Sequence, residues 1–364
     1  MMAESNQLND GNILSSLIAL SEKAANIARI CRKDDHLLSL LVQEKKESEK
    51  NPRYVQDFKT LADVLVQEVV KHELGKKFPA LIGHIYGEEN NEFVLENECV
   101  IIEIKSNMQE TTELLSKVLP DPEASRVLAE VIHTETDDID CDIRIPDLPD
   151  SLGIWIDPID STAEYIAGKD GVQDGKVRNG LPCVTVLIGV FDRNTGEPII
   201  GVINQPFYKN EQDTWIGRYV FGVSINDFNV TRPEYFLDVQ EKLVAVSSSE
   251  DDEIKNKLTE NGYNIIEIAG AGSKLLSIIL GEVYAYVLSK PTTYMWDICA
   301  GHAILRSLGG DIIEYSSLKP IKYTGTVGIK DSCNSAGIIA FRDLSIKDNI
   351  IDVLGLKDEG ISKL

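Results

Sequence analysis

Apolar positions recur at helical spacing in two segments near the N-terminus. The first segment carries them at Leu14, Leu17, Ile18, Ala24, Ala25 and Ala28, and the second at Leu61, Leu65 and Val69. Residues three or four apart share one face of a helix, so each segment predicts an amphipathic helix. Thr60 stands directly before the second segment, where its hydroxyl can cap the helix. The charged run 44–50 between the two segments has no apolar face and is expected to be a solvated helix end or loop.

The spacing changes after Gly153, where short apolar runs become frequent. The runs at 154–156, 183–191, 198–203 and 218–221 are β-prone. The turn sequence Arg-Asn-Thr-Gly lies between two of them, at 193–196. Strands joined by such short turns predict an antiparallel sheet.

A third pattern begins near residue 243, where apolar runs alternate with helical spacing. Strands are expected at 243–246, 265–269, 283–288 and 311–315, and helices at 251–260, 273–280 and 298–308. This alternation is typical of an α/β domain. The sequence therefore predicts an α+β domain over residues 1–230 and an α/β domain over residues 231–364. A functional site is expected where the two halves meet.

Composition and charge limit the classes of function. The 364 residues include 36 basic and 59 acidic side chains, which gives a net charge of −23. This charge repels the phosphate backbone of nucleic acids and the surface of anionic membranes. No segment approaches the roughly 18 apolar residues of a membrane span, and the N-terminus does not resemble a signal peptide. We therefore expect a cytoplasmic protein without nucleic-acid or membrane partners.

Three acidic motifs stand at the ends of expected elements. Gly-Glu-Glu at 87–89 follows a short apolar stretch, Asp-Pro-Ile-Asp at 157–160 ends a strand, and Trp-Asp at 296–297 begins a helix. The proline forces a turn in the middle motif, so its two carboxylates and the carbonyl between them can converge on one point. Oxygen ligands of this kind suit Mg²⁺. Each motif alone is more often a solvated pair or a turn, but the ordered set indicates a divalent metal site.

The ordered motifs resemble the family of Mg²⁺-dependent, lithium-sensitive phosphomonoesterases that includes inositol monophosphatase. The full middle motif, Trp-Ile-Asp-Pro-Ile-Asp-Ser-Thr at 155–162, and the segments 21–29 and 57–68 point to the branch that acts on inositol polyphosphates. The resemblance covers nearly the whole chain, from about residue 17 to residue 340. It implies a five-layered αβαβα sandwich with an antiparallel sheet in the first half and a mixed sheet in the second. It also implies two to three Mg²⁺ ions and inhibition by Li⁺.

Roles for individual residues follow from the same resemblance. One metal would be held by Glu88, Asp157 and the Ile159 carbonyl, a second by Asp157, Asp160 and Asp297, and a third by Asp57 and Glu88, with Glu89 as a secondary candidate. Thr162, with Asp57 behind it, would orient the attacking water. The expected substrate contacts are Ser161, Thr162, Ser249, Gly270, Ala271 and Lys274. Most metal ligands thus fall within 1–230, whereas Asp297 and most substrate-binding elements fall within 231–364.

The segment 270–274, Gly-Ala-Gly-Ser-Lys, joins an expected strand to a helix. Small residues there let backbone N–H groups approach an anion, and Lys274 suits a second phosphate.

The resembled enzymes carry a lysine after Ser249-Glu250, whereas this chain has Asp251. An inward-pointing Asp251 would weaken phosphate binding.

His302 lies off the helix face of Asp297 and is expected to be packed or on the surface rather than catalytic.

The function implied by the resemblance is hydrolysis of the 1-phosphate of inositol 1,4-bisphosphate and inositol 1,3,4-trisphosphate by a monomeric enzyme. The alternative is the related 3′(2′),5′-bisphosphate nucleotidase, because the segments 184–189, 201–206 and 334–337 fit both. Ser161 favours the inositol enzyme, since the nucleotidase pattern carries glycine at that position. A catalytically inactive relative that only binds is disfavoured, because every expected metal-ligand position carries an acid.

Overall fold

The computed structural model describes residues 12–33, 42–46, 49–51, 57–95, 98–119, 121–135, 139, 141–173, 176–233, 242–325, 328 and 330–357. The α-helices in these ranges are α1 (Asn12–Arg32), α2 (Leu61–Lys77), α3 (Met108–Leu115), α4 (Pro122–His133), α5 (Thr162–Ala167), α6 (Asp252–Glu260), α7 (Ala271–Ile279), α8 (Met295–Ser307) and α9 (Leu344–Leu354). The strands are β1 (Val42–Glu44), β2 (Phe58–Thr60), β3 (Ile85–Gly87), β4 (Glu92–Leu95), β5 (Glu98–Ile101), β6 (Leu152–Asp160), β7 (Val172–Gln173), β8 (Lys176–Val177), β9 (Thr185–Asp192), β10 (Pro198–Glu211), β11 (Thr214–Ile225), β12 (Phe228–Arg232), β13 (Leu243–Val246), β14 (Asn264–Glu267), β15 (Ala285–Leu288), β16 (Asp311–Glu314) and β17 (Ile338–Phe341).

The two predicted N-terminal helices are confirmed as α1 and α2. Thr60 caps α2 as expected, because its hydroxyl accepts a hydrogen bond from the backbone N–H of Asp63 at 3.3 Å. The Asp63 carboxylate in turn accepts a hydrogen bond from the backbone N–H of Thr60 at 2.7 Å. This reciprocal capping box satisfies two N–H groups that a helix start leaves without partners. It also fixes the direction of the Asp63 side chain.

The predicted antiparallel sheet is a six-stranded sheet in the order β12-β11-β10-β9-β6-β3. Neighbouring strands are antiparallel except β3, which runs parallel to β6. The predicted turn at 193–196 connects β9 to β10. The strands β6 and β9 in the interior of this sheet are buried along their whole length, as expected for a sheet covered on both faces.

The second half forms a five-stranded mixed sheet in the order β14-β13-β15-β17-β16. β13 runs parallel to both β14 and β15, whereas β17 is antiparallel to β15 and β16. The expected alternation of strands and helices from residue 243 onward is therefore confirmed, with boundaries that differ by a few residues.

Three buried hydrophobic clusters hold five layers of structure together, and the middle cluster fills two of the interfaces between layers. The first cluster lies between the N-terminal helices and the six-stranded sheet. The second joins both sheets to α7 and α8, and the third lies between the second sheet and the outer helices α6 and α9. The order helix, sheet, helix, sheet, helix is the expected αβαβα sandwich. The proposed division at residues 230 and 231 stays a prediction, because residues 234–241 lie outside the described ranges.

Helix α8 packs unusually close to the six-stranded sheet, where glycines replace side chains. A Cβ atom at Gly189 would lie 2.5 Å from the backbone nitrogen of Ala300, and one at Gly201 would overlap the Ala300 carbonyl oxygen. Real Cβ atoms do not approach backbone this closely, so both positions require glycine. Since Asp297 belongs to the first turn of α8, this close packing also sets where its carboxylate lies.

We predict that Gly201→Ala destabilises the protein by about 1–3 kcal/mol, because the backbone of α8 would have to move away from the sheet. The midpoint of urea unfolding measures this change. Gly75→Ala is the matched control. Its Cβ would meet only the side chain of Ile82, at 3.3 Å, which is 67% exposed and can shift. Alanine is also the better helix former, so the control should not lose stability. Equal losses in both variants would contradict the packing argument.

Candidate active site

The end of strand β6 brings two aspartates together. Residues three apart in a regular strand point to opposite faces of the sheet. The pairing of β6 with β9 shifts register between Asp157 and Asp160, however, which marks a bulge at Pro158 and Ile159. One oxygen each of Asp157, Asp160 and Asp297 consequently lies within 4.8 Å of the other two. The convergence predicted from the middle motif is therefore present, and a residue from α8 completes it.

The N-terminus of α8 fixes the third carboxylate. Asp297 is the third residue of the helix, and its Oδ2 accepts a hydrogen bond from the backbone N–H of Tyr294 at 2.5 Å. A carboxylate at this position also interacts favourably with the helix dipole. Asp297 thus approaches the two β6 aspartates from the layer between the sheets.

The electrostatics of these three aspartates favour a bound cation. Burial raises the pKa of Asp157 and of Asp297 well above the usual range, and the neighbouring carboxylates raise both further. Burial also raises the pKa of Asp160. Oδ1 of Asp157 is buried and has no hydrogen-bond partner among the described residues. A divalent ion would supply the missing partner and offset the repulsion, so the donor set fits a hard metal ion.

A lysine lies among the glutamates of the first motif. The Nζ of Lys45 is 2.6 Å from Oε1 of Glu88 and 2.6 Å from Oε1 of Glu89. Burial opposes the charge of Lys45, but the two glutamates hold its pKa well above the usual value. The prediction that the run 44–50 is solvated is wrong for Lys45, which is 5% exposed. Its backbone N–H bonds the Asp57 carbonyl at 2.8 Å, which continues the pairing of β1 with β2 and turns the side chain inward.

The acid behind Thr162 is Asp63 rather than Asp57. The hydroxyl of Thr162 lies 3.3 Å from Oδ1 of Asp63, and burial raises the pKa of Asp63 to about 6. The expectation that Asp57 has this place is corrected, because the capping box aims Asp63 from the first turn of α2. Asp57 lies in the same cleft, and its Oδ2 accepts a hydrogen bond from the backbone N–H of Asn51 at 2.9 Å. The threonine three residues before Asp63 indicates its place in a capping box, whereas its contact with Thr162 depends on the tertiary fold.

The turn before α7 packs directly on the metal-site residues. The backbone N–H groups of Ala271 and Gly272 donate to the two carboxylate oxygens of Asp160, at 3.3 and 2.9 Å. The anion at this helix N-terminus is therefore Asp160, whereas the sequence had suggested a substrate group. Gly270 has a φ of +75°, and a Cβ there would lie 2.5 Å from Oδ2 of Asp160. Glycine is required at 270 for both reasons.

Two of the remaining expected substrate residues lie well inside the cleft. Ser161 adopts a φ of +72°, a left-handed conformation that is uncommon outside glycine. Its hydroxyl is buried and has no hydrogen bond to a described residue. Lys274 is buried, and its Nζ donates to the Gly270 carbonyl at 2.8 Å. Both side chains are held next to the aspartates of β6.

The segment around residue 250 is arranged differently from expectation. Within this segment, Ser248 lines the cleft, whereas Ser249 and Asp251 do not belong to its lining. The Asp251 side chain is 60% exposed and forms an ion pair with Lys290 at 2.8 Å. Since Asp251 does not point inward and has a cationic partner, it is not expected to repel substrate.

His302 is a packed residue, as predicted. It is buried, with one ring nitrogen 2.9 Å from the Tyr323 hydroxyl and the other 2.5 Å from the Asp311 carboxylate. Both ring nitrogens are thus engaged within the layer between the sheets.

The candidate residues lie around one cleft with a volume of ≈ 1120 Å³. Of the site residues expected from the sequence, all but Ser249 line it. They are Asp57, Glu88, Glu89, Asp157, Ile159, Asp160, Ser161, Thr162, Gly270, Ala271, Lys274 and Asp297. The cleft therefore combines clustered carboxylates with a few cations, which suits a phosphate ester only when metal ions offset the negative charge.

Comparison with known proteins identifies the class. The chain belongs to the inositol monophosphatase family, whose sequence pattern matches residues 14–338. The resemblance noted in the sequence is thereby confirmed. Inositol polyphosphate 1-phosphatase from Mus musculus is 40% identical over 94% of this chain and 97% of its own length. The 3′(2′),5′-bisphosphate nucleotidase 1 from Rattus norvegicus is 27% identical over 78% of this chain and 79% of its own length.

The fold is shared with solved structures of the same family. Inositol monophosphatase from Anabaena superposes with a TM-score of 0.53 at 15% identity, covering 95% of this chain and 96% of the other. No helix in the described ranges has the length and apolar character needed to cross a membrane.

In the metal-free protein, stability should fall as pH rises from about 4 to 8. Burial raises the pKa of Asp63 to about 6 and that of Glu89 to about 8. An acidic group whose pKa is higher in the folded state than in the unfolded state stabilises the folded protein at pH values below its unfolded pKa. This contribution to the free energy of unfolding is lost as pH rises through the folded pKa. Divalent ions should counter this loss, because they bind the ionised carboxylates.

Melting temperatures in chelator and in Mg²⁺ across this pH range measure the effect. Asp157→Asn is the control variant, since removing one buried carboxylate should reduce the pH dependence in chelator. Identical pH profiles with and without Mg²⁺ would contradict the assignment of the carboxylates to a metal site.

Proposed function

We propose that this protein is a phosphomonoesterase that removes the 1-phosphate from inositol 1,4-bisphosphate and inositol 1,3,4-trisphosphate, with Mg²⁺ as its cofactor. The observation that carries the proposal is the cluster of Asp157, Asp160 and Asp297, in a cleft that also contains Lys274. One oxygen of Asp157 in this cluster has no hydrogen-bond partner among the described residues. The high identity to inositol polyphosphate 1-phosphatases over almost the entire chain supports the choice of substrate.

The proposed metal ligands are those that the family resemblance implies, and the clustering of Asp157, Asp160 and Asp297 supports one of the three sets. Asp157, Asp160 and Asp297 would hold one ion, Asp157 with Glu88 and the Ile159 carbonyl another, and Asp57 with Glu88 a third. When bound, such ions neutralise phosphate charge, make water more acidic and stabilise the departing oxygen. Glu89 stays next to this set through its ion pair with Lys45. Li⁺, which carries half the charge of Mg²⁺, is proposed to inhibit by occupying the carboxylate site.

Thr162 and Asp63 are proposed to orient the water that attacks the phosphate. The Thr162 hydroxyl lies 3.3 Å from Oδ1 of Asp63 and 3.1 Å from the Ile159 carbonyl oxygen. We assign its proton to Asp63, which leaves its lone pairs to accept a hydrogen bond from a water molecule. That hydrogen bond would leave a lone pair of the water oxygen free to face the phosphorus atom. Ionised Asp63 accepts from Thr162 through Oδ1, and Thr60 holds the carboxylate in position through Oδ2. Orientation of this kind acts on the reaction step rather than on affinity.

Hydrolysis of a nucleoside bisphosphate is the weaker candidate. The nucleotidase relatives match a smaller share of the chain at lower identity than the inositol polyphosphate 1-phosphatases. Ser161, where the nucleotidase pattern carries glycine, occupies the wall of the cleft beside Asp160 and Gly270.

A substrate panel tests the proposed function. With Mg²⁺, we expect hydrolysis of inositol 1,4-bisphosphate to be faster than that of inositol 1-phosphate or adenosine 3′,5′-bisphosphate, as followed by phosphate release. Excess chelator or Asp157→Asn should abolish turnover, and LiCl should inhibit it where KCl at equal concentration does not. Faster hydrolysis of the adenosine compound, or undiminished turnover in chelator, would overturn the proposal.

Thr162→Ala should lower kcat by about 10²- to 10⁴-fold and leave metal affinity nearly unchanged, because the hydroxyl aims the water. Asp63→Asn should lower kcat similarly, and the double variant should be little worse than either single variant, since the two groups act as a unit. Steady-state kinetics and calorimetric titration with Mn²⁺ measure the two properties. Thr162→Ser keeps the hydroxyl and is the matched control. Strong loss of Mn²⁺ affinity with kcat preserved would reverse the assignment.

A further inference from the structure

Arg178 is a cleft residue that no sequence motif singled out. It follows β8 and belongs to the lining of the same cavity as the candidate metal ligands. The described basic residues of that lining are Lys45, Lys71, Arg178 and Lys274. Their partners distinguish them, because a cation that is already paired is less available to a ligand.

Three of these cations have acceptors within the protein. Lys45 is paired with Glu88 and Glu89. Lys71 forms an ion pair with Glu68 at 3.1 Å, and Lys274 donates to the Gly270 carbonyl. Their charges are therefore partly committed to holding the fold and the site.

Arg178 differs from them in this respect. Its Nε is shielded from solvent and has no hydrogen-bond partner in the described part of the chain. A buried N–H group without an acceptor costs free energy, commonly about 1–3 kcal/mol, and more for a charged group. A ligand that supplies oxygen acceptors would remove that cost. The planar guanidinium matches the oxygens of a phosphate group especially well.

Hydrogen bonds fix the position of the backbone around Arg178. The Arg178 carbonyl accepts a hydrogen bond from the backbone N–H of Ala269 at 2.8 Å. Gly180, two residues later, has a φ of +76° and donates its N–H to Glu164 at 2.6 Å. These contacts anchor Arg178 between α5, which begins at Thr162, and the turn that leads to Lys274.

We propose that Arg178 binds a phosphate of the substrate other than the one that is hydrolysed, and so sets the preference for polyphosphorylated inositols. The proposal rests on the proposed function. The phosphate to be cleaved belongs at the carboxylate cluster, where metal ions bind. Another phosphate would be repelled by that acidic lining unless a cation received it. Arg178 supplies such a cation next to the turn before Lys274.

The test compares inositol 1,4-bisphosphate with inositol 1-phosphate in Arg178→Gln and Arg178→Lys. For Arg178→Gln, we expect kcat/KM toward the bisphosphate to fall about 10- to 100-fold through a higher KM, as for loss of a charged hydrogen bond. Turnover of the monophosphate should change little. Arg178→Lys should recover part of the loss because it keeps the charge. Lys71→Gln removes the same charge from the cleft lining and should leave the ratio between the two substrates unchanged.

The outcomes separate this inference from the function on which it rests. If the wild-type protein hydrolyses neither inositol phosphate, the proposed function fails and the inference fails with it. If the wild type prefers the bisphosphate and Arg178→Gln keeps that preference, only the inference is overturned. A parallel loss on both substrates, or an equal change of the ratio in Lys71→Gln, would assign Arg178 a structural or general electrostatic role. Melting temperatures show whether each variant is folded, and Arg178→Lys serves if the glutamine variant is not.

Discussion

The burial of mutually repelling carboxylates at one point is the constraint on which the rest of the structure depends. Asp157 and Asp160, which are buried, and Asp297, which is half-buried, bring their oxygens within 4.8 Å of one another. Such an arrangement is unfavourable without a cation and persists only when the surrounding structure holds it. The bulge in β6 and the close packing of α8 on the six-stranded sheet provide that support. The layered fold therefore holds the negative charges of these three aspartates close together without fully neutralising them.

The protein's own cations and N–H groups offset only part of this charge. Lys45 lies between Glu88 and Glu89, and the N–H groups at the start of α7 bind Asp160. In the part of the chain that the structure describes, Oδ1 of Asp157 has no hydrogen-bond partner, so its charge is not offset. A phosphate ester, itself an anion, can approach this cleft only if metal ions supply the remaining positive charge. Metal binding and substrate binding are accordingly two aspects of one electrostatic requirement.

Most of the fold and much of the site could be predicted from the sequence, because both depend on local patterns. Helical spacing predicted α1 and α2, strand and helix alternation predicted the second half, and the Asp-Pro-Ile-Asp motif predicted its own convergence. Tertiary contacts decided what the sequence missed. Lys45 looked solvated within a charged run, yet the pairing of β1 with β2 turns it into the site. Asp63 received no role from the sequence, because its contact with Thr162 arises only in the folded chain.

A crystal structure with bound Mn²⁺ tests the central claim most directly, since the anomalous signal of manganese locates the ion independently of activity. The account predicts an anomalous peak within coordination distance of Asp157, Asp160 and Asp297, with a carboxylate oxygen of Asp157 as a ligand. Crystals of Asp157→Asn grown in the same Mn²⁺ concentration should lose that peak. A wild-type structure in which these three aspartates remain without manganese, while manganese binds elsewhere, would contradict the account.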